Sequence, residues 1–236
     1  MKRKIFILIF CFLFTFYFSQ INNREENVLT ELKVKVENND DILYSEKKIP
    51  NSENYILCLP IINNQDNGLI NYDLYIIICN NQGEILKKYV ELNSISSDAI
   101  ALTSTEIDTA NYLIKEDTRA FGIRLNYRNN SQPNPYSNQT LLLFYEKGKT
   151  IKKVLDYQIY EYHGEWDLNC NGEFEEKTGY ISFEKSVING FKNLKIRTKV
   201  EKRFLTGKNS KTGDCNEKVI KTFKTKILKY KKGIYQ

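Results

Sequence analysis

Between Leu194 and Phe204 the chain alternates with a period of two. Leu194, Ile196, Thr198, Val200 and Phe204 share one parity; Lys195, Arg197, Lys199, Glu201 and Arg203 share the other, and only Lys202 is out of step. Successive side chains of a strand point to opposite faces, so this segment reads as a strand with one apolar and one charged face. A helix would scatter both sets around its axis. The constraint is therefore a sheet with one face buried.

Similar signals recur upstream. Residues 72–79 are almost wholly apolar, as in a strand buried on both faces. Asn80-Asn81-Gln82-Gly83 then turns the chain, and residues 84–92 return with Ile85, Tyr89 and Val90 apolar, which makes a hairpin. Residues 55–59 form a short run stopped by Pro60, before the turn cluster at 63–68. Residues 100–103, 105–113, 119–127, 141–145, 150–160 and 180–183 are further strands. In residues 119–127, Phe121, Ile123, Leu125 and Tyr127 take one face and Arg124 and Asn126 the other. Residues 218–230 fit both a strand and a helical stripe, and Thr222 and Thr225 favour the strand. The expected fold is all-β: an antiparallel sandwich or barrel-like domain of about ten short strands.

The N-terminus sets the compartment. Lys2, Arg3 and Lys4 precede an apolar run from Ile5 to Phe18 broken only by Thr15, and Ser19-Gln20 closes it. A basic head, a short apolar middle and a small residue make a secretory signal peptide over residues 1–19; Tyr17 stands at the third position before the cut, where a small residue is preferred, and an uncleaved N-terminal anchor is the alternative. The run is shorter than the ~20 residues a bilayer-spanning helix needs, so no transmembrane span is expected after cleavage. Residues 20–52 are polar and read as a leader, with one short strand where Leu32, Val34 and Val36 alternate with Lys33 and Lys35. Residues 53–236 then form a single all-β domain in an exported protein, periplasmic or secreted.

Export bears on the cysteines. Cys58, Cys79, Cys170 and Cys215 remain after cleavage, and an even count in an exported chain reads as disulfides. Four cysteines allow three pairings. Cys170–Cys215 is preferred because both lie in polar, Gly-containing loops, followed by Cys58–Cys79, both in expected strands. Two buried thiols are the alternative for the second pair, since Cys packs as a small hydrophobe. There is neither a CxxC motif nor a zinc spacing.

The charge is divided unevenly. From Lys185 onward sixteen Lys and Arg stand against Glu201, Asp214 and Glu217, a net of +13, whereas residues 20–184 carry a net of −10. Such asymmetry points to a charged partner or to mutual neutralisation of the two parts. On an extended strand Lys195, Arg197, Lys199 and Arg203 project from one face, and Lys224 and Lys226 follow in the next strand. This row is the candidate binding surface, and its partner would be an acidic protein or an anionic envelope surface. Nucleic acid is not expected after export. Lysines are also a common guard on solvent-facing edge strands.

A second candidate is the segment from Tyr162 to Gly172, which holds the single His and the single Trp. His163 with Glu165 or Asp167 would supply a base and its orienting acid, the constellation a cell-envelope hydrolase would use. Chain neighbours seldom aim at one substrate atom, and no GxSxG context is present. The same segment partly matches a calcium loop, with Asp167, Asn169 and Asn171 at positions 1, 3 and 5 and Gly172 at 6, but position 12 is Thr178 instead of a bidentate Glu. An Asn/Asp/Gly turn accounts for it. Neither GxxxxGK nor GxGxxG occurs, so a nucleotide enzyme is excluded and no cofactor is expected.

Ile107-Asp108-Thr109-Ala110-Asn111-Tyr112, Arg119-Ala120-Phe121-Gly122-Ile123-Arg124 and Asn189-Gly190-Phe191-Lys192-Asn193-Leu194 resemble segments of a family of exported bacterial β-rich proteins with no assigned activity. The resemblance implies export and one β-rich domain, and it brings no catalytic residue. The expectation is a non-catalytic binding protein, with the hydrolase as its alternative.

Overall fold

The computed structural model describes residues 23–34 and 43–236. The expected signal peptide lies outside them, as do Lys35 and Val36. Among the described residues thirteen antiparallel strands follow one helix. Strands β1 (Ser45–Lys48), β2 (Tyr55–Asp66), β3 (Leu69–Cys79) and β4 (Ile85–Ser97) form a four-stranded sheet in that order. Strands β5 (Ala101–Leu113), β6 (Arg119–Arg128), β7 (Tyr136–Lys147), β8 (Thr150–Trp166), β9 (Asn171–Ile188), β10 (Phe191–Lys208) and β11 (Cys215–Leu228) form a seven-stranded sheet, again in chain order, so each strand pairs with its sequence neighbour. A small ribbon of β12 (Tyr230–Lys231) and β13 (Ile234–Tyr235) ends the chain. The fold is an all-β sandwich, not a closed barrel.

The two sheets meet across one apolar core. Leu74, Ile76 and Ile78 from β3 pack with Phe121, Ile123 and Leu125 from β6 and with Leu142 and Phe144 from β7. At its rim Lys153 of β8 donates to both carboxylate oxygens of Glu91 on β4 at 2.8 and 2.7 Å, and Lys87 of β4 pairs with Glu146 of β7.

The leader expected over residues 20–52 is different. Residues Asn23–Leu32 form a helix, α1, with Glu25 and Glu26 in the first turn, where the helix dipole favours acids. Val28 and Leu29 pack on Leu57, Leu59 and Ile77, the outer face of the four-stranded sheet. The strand expected around Leu32–Val34 is instead a helix stop. Lys33 turns left-handed at φ 58°, Val34 N donates to Leu29 O at 3.0 Å and Lys33 N to Thr30 O at 3.1 Å, which is a Schellman cap. Val34 is apolar because it packs back against the same cluster. Helix cover on one side and sheet cover on the other explain why β3 is apolar at both parities.

That geometry separates Cys58 from Cys79, and both are free thiols. Cys58 aligns with Ile76 and Cys79 with Tyr55, three positions apart on paired strands. An odd offset sends the side chains to opposite faces: Cys58 into the inter-sheet core, Cys79 under the helix. No backbone adjustment short of a register slip joins them.

In the last third the strands are longer than expected. The segment 162–178, which lies between the strands expected at 150–160 and 180–183, is mostly strand, since β8 runs to Trp166 and β9 starts at Asn171. The hairpins Asn67-Gly68 and Asn189-Gly190 have φ of 49°, 82° and 53°, 78°, the left-handed pair that a two-residue hairpin with the native twist requires. A further cluster joins Leu141, Leu143 and Leu155 to Leu194, Ile196 and Tyr235, so the start of β10 packs over β7 and β8.

Candidate functional site

The register decides which cations share a surface. Lys195, Arg197, Lys199 and Arg203 pair with Ile227, Thr225, Phe223 and Val219 of β11 and with Ser182, Tyr180, Thr178 and Phe174 of β9. Directly opposed residues point the same way, so these side chains form one face. Lys224 and Lys226 pair with Thr198 and Ile196 and leave from the other. The six candidate cations therefore divide four to two, because an antiparallel pair matches odd positions with odd ones here.

The face is cationic and aromatic together. The Arg197 guanidinium lies 4.3 Å from the Phe223 ring centre and that of Arg203 lies 4.6 Å from Phe174, within cation–π range. Phe223 and Tyr180 are each 56 % exposed, and Val219 and Ile227 are exposed beside them. Glu201 is bridged by Lys199 at 2.7 Å and Lys221 at 3.3 Å, and the hydrogen bond from Lys199 is the first reason its carboxyl is held below the usual range. Along β11 every residue from Asn216 to Ile227 is exposed. On the second face Lys226 sits 5.5 Å from the Tyr157 ring.

Cys170–Cys215 is a disulfide with Cα atoms 5.2 Å apart. It ties the β8–β9 turn to the start of β11, and Gly207 N donates to Cys170 O at 2.7 Å beside it. The ribbon that carries the cationic face is thus pinned at this end.

The His163 candidate is rearranged. His163 stands opposite Glu175, and Glu165 opposite Glu173. They line a cleft of about 310 Å3 with Asn134, Lys202 and Phe204. The carboxylate nearest His163 Nε2 is Glu175, at 3.7 Å, beyond hydrogen-bond range. Glu175 is held by Lys202 at 2.9 Å and Lys177 at 3.0 Å, and hydrogen bonds from these lysines pull its pKa down to about 2. Asp167 leaves the cleft altogether. Its Oδ1 accepts from Asn169 N and Asn171 N at 2.9 and 3.0 Å, and its Oδ2 from Asn171 Nδ2 at 2.7 Å. The three residues proposed as calcium ligands therefore close an Asx turn on one another, and no cluster of three His, Cys, Asp or Glu suited to a metal occurs among the described residues. The lining holds no Ser, Thr or Cys, and the His163 imidazole in it is half-exposed.

A cleft of about 450 Å3 across the face of β5 to β9, lined by polar and apolar side chains, escaped the sequence reading. Arg124 in its lining donates to Asp108 Oδ2 through Nε at 3.0 Å and Nη2 at 2.7 Å, and Tyr112 OH donates to the same oxygen at 2.6 Å. Burial pushes the Asp108 carboxyl up, but hydrogen bonds from Tyr112, the Ala110 N–H and Arg124 outweigh it and leave it below the usual range. The signal for this cleft was the off-parity pair Arg124 and Asn126 on an otherwise apolar strand.

These features define a class: an antiparallel two-sheet β-sandwich whose strands β9, β10 and β11 present a cationic and aromatic face. No family model, curated protein or solved structure matches the chain.

Proposed function

We propose that the protein is an exported, non-catalytic binding protein that holds an acidic protein partner against the β9–β11 face. One observation carries this reading: Arg197, Phe223 and Tyr180 lie together, exposed, on a sheet face with Lys195 and Lys199 alongside. An Arg stacked on an aromatic ring is a preorganised partner for carboxylates, and exposed aromatics with Arg are enriched where interfaces concentrate their binding energy. A bare lysine face would meet any anionic surface; the added apolar side chains favour a protein over a lipid head-group layer. Export is supported by the basic and apolar N-terminus and by the Cys170–Cys215 disulfide, a bond that persists in oxidising compartments. The hydrolase alternative has less support, because Glu175 is held by two lysines and Asp167 by its own turn.

The test is capture from envelope extract at low and high salt by the wild type and by a Lys195→Glu/Arg197→Glu variant, beside a Lys208→Glu/Lys211→Glu control. The reading expects an acidic protein retained at low salt by the wild type and the control, and lost from the face variant. Equal capture by all three removes the face as the binding surface. Retention of anionic vesicles in place of any protein transfers the reading to a membrane surface.

A further inference from the structure

We infer that the partner binds by strand addition: an acidic extended segment pairs with the outer edge of β11, which no strand covers among the described residues, and adds an eighth strand to the sheet. The inference rests on the binding reading above and specifies its geometry.

β11 ends the seven-stranded sheet, and its twelve exposed residues from Asn216 to Ile227 offer about 40 Å of edge at ~3.3 Å per residue. An edge of this length exposes alternate N–H and C=O groups to any strand that arrives. The opposite sheet treats its own long edge differently. On β4, Leu86, Val90 and Leu92 are exposed but the alternate residues Lys87 and Glu91 are tied to Glu146 and Lys153 on the other sheet, so from Ile85 to Leu92 only one parity is bare, whereas β11 is bare at both. On β11, Lys218 and Lys224 have no ion-pair partner among the described residues, and Val219, Ile220, Phe223 and Ile227 are exposed.

Charge selects the occupant. In a two-fold antiparallel pairing of β11 with a second copy, a register centred on Lys221 sets Lys221 against itself and Lys218 against Lys224, and one centred on Thr222 sets Lys218 against Lys226, with Glu217 the only acid on the strand. Like charges across a ladder are destabilising, so the charge of this edge favours an acidic strand over a second copy. An incoming acidic strand meets Lys221 on the face of Val219, Phe223 and Ile227, and Lys218, Lys224 and Lys226 on the other. Carboxylates at both parities are matched, and an apolar residue on one side meets Phe223. Main-chain bonds would supply affinity and the alternate side chains selectivity.

The experiment uses the full chain and a synthetic peptide of about twelve residues alternating Glu with Val and Phe, the length of edge available. It is compared with the same peptide N-methylated at every second residue. Strand addition expects the plain peptide to bind, to protect alternate amides of residues 216–227 from hydrogen exchange, and to lose at least about ten-fold in affinity on N-methylation, as a few missing ladder bonds would cause. Equal binding of the two peptides without protection of β11 overturns strand addition, while the cationic face stands. No binding of either peptide also overturns it. The wider reading is decided separately, by whether Lys195→Glu/Arg197→Glu loses the captured protein.

Discussion

Cys58 and Cys79 lie on paired strands three register positions apart, and each thiol is buried in a different core. Burial pushes the Cys58 thiol up to about 12 and the Cys79 thiol up to about 11. Neither should react with an alkylating reagent at pH 8 in the folded protein, and both should react in denaturant, since the thiolate is the nucleophile. Mass spectrometry of the alkylated chain checks this. Labelling of neither cysteine after unfolding would mean that they are bonded after all.

Reduction acts on the other pair. Cys170–Cys215 spans 45 residues of sequence, and the chain-entropy model assigns such a loop about 4 kcal/mol. Reductant, or Cys170→Ser with Cys215→Ser, is expected to lower the melting temperature. Hydrogen exchange should rise first near Asn171 and in the β10–β11 hairpin that the bond pins. A melting temperature indifferent to reductant would remove the disulfide from the account.

Leu29 is 2 % exposed against Leu57 and Leu59. Leu29→Ala is expected to destabilise the fold by about 2–4 kcal/mol, the usual cost of a buried leucine. A passive leader would leave the denaturant midpoint unmoved, so urea titration separates the two.

Glu175 links the His163 cleft to acid stability. Its folded pKa of about 2 lies below the ordinary 4.5, so its contribution is present above pH ~4.5 and is lost as pH falls through the folded value. Stability measured from pH 6 to pH 2 should fall through this window, and Glu175→Gln should flatten that part of the curve. An unchanged slope would mean that Lys177 and Lys202 do not hold the carboxylate in solution.

Calcium in excess is expected to leave the melting temperature where it is, because the Asp167 oxygens already accept from Asn169 and Asn171. A rise of several degrees would show that the Asx turn opens to take the ion.

Much of this was legible from local pattern. The alternation in β10 and the hairpin at Asn80-Asn81-Gln82-Gly83 each depend on a few adjacent residues, and both lie where expected. Strand lengths were not legible around Trp166, because Gly164 and Gly172 read as loop residues. Both are in strands, where a Cβ at Gly164 would run into the Phe174 ring and one at Gly172 into Trp166 Cβ. Glycine there makes room for aromatic packing rather than for a turn. The helix was missed because Val34 mimics a strand alternation while serving as the cap contact.

The amino-acid order alone determined that the chain is built of antiparallel strands, since the parity of side chains is a property of each strand by itself. It also placed Cys170 and Cys215 in polar segments free to meet. The tertiary structure decided everything that depends on two strands at once. It set the faces of Cys58 and Cys79, the division of Lys195 and Arg197 from Lys224 and Lys226, the pairing of His163 with Glu175 instead of its chain neighbours, and the exposure of β11. Those outcomes hang on register and on which face finds a cover, and both come from long-range packing: a one-residue slip reverses every side chain.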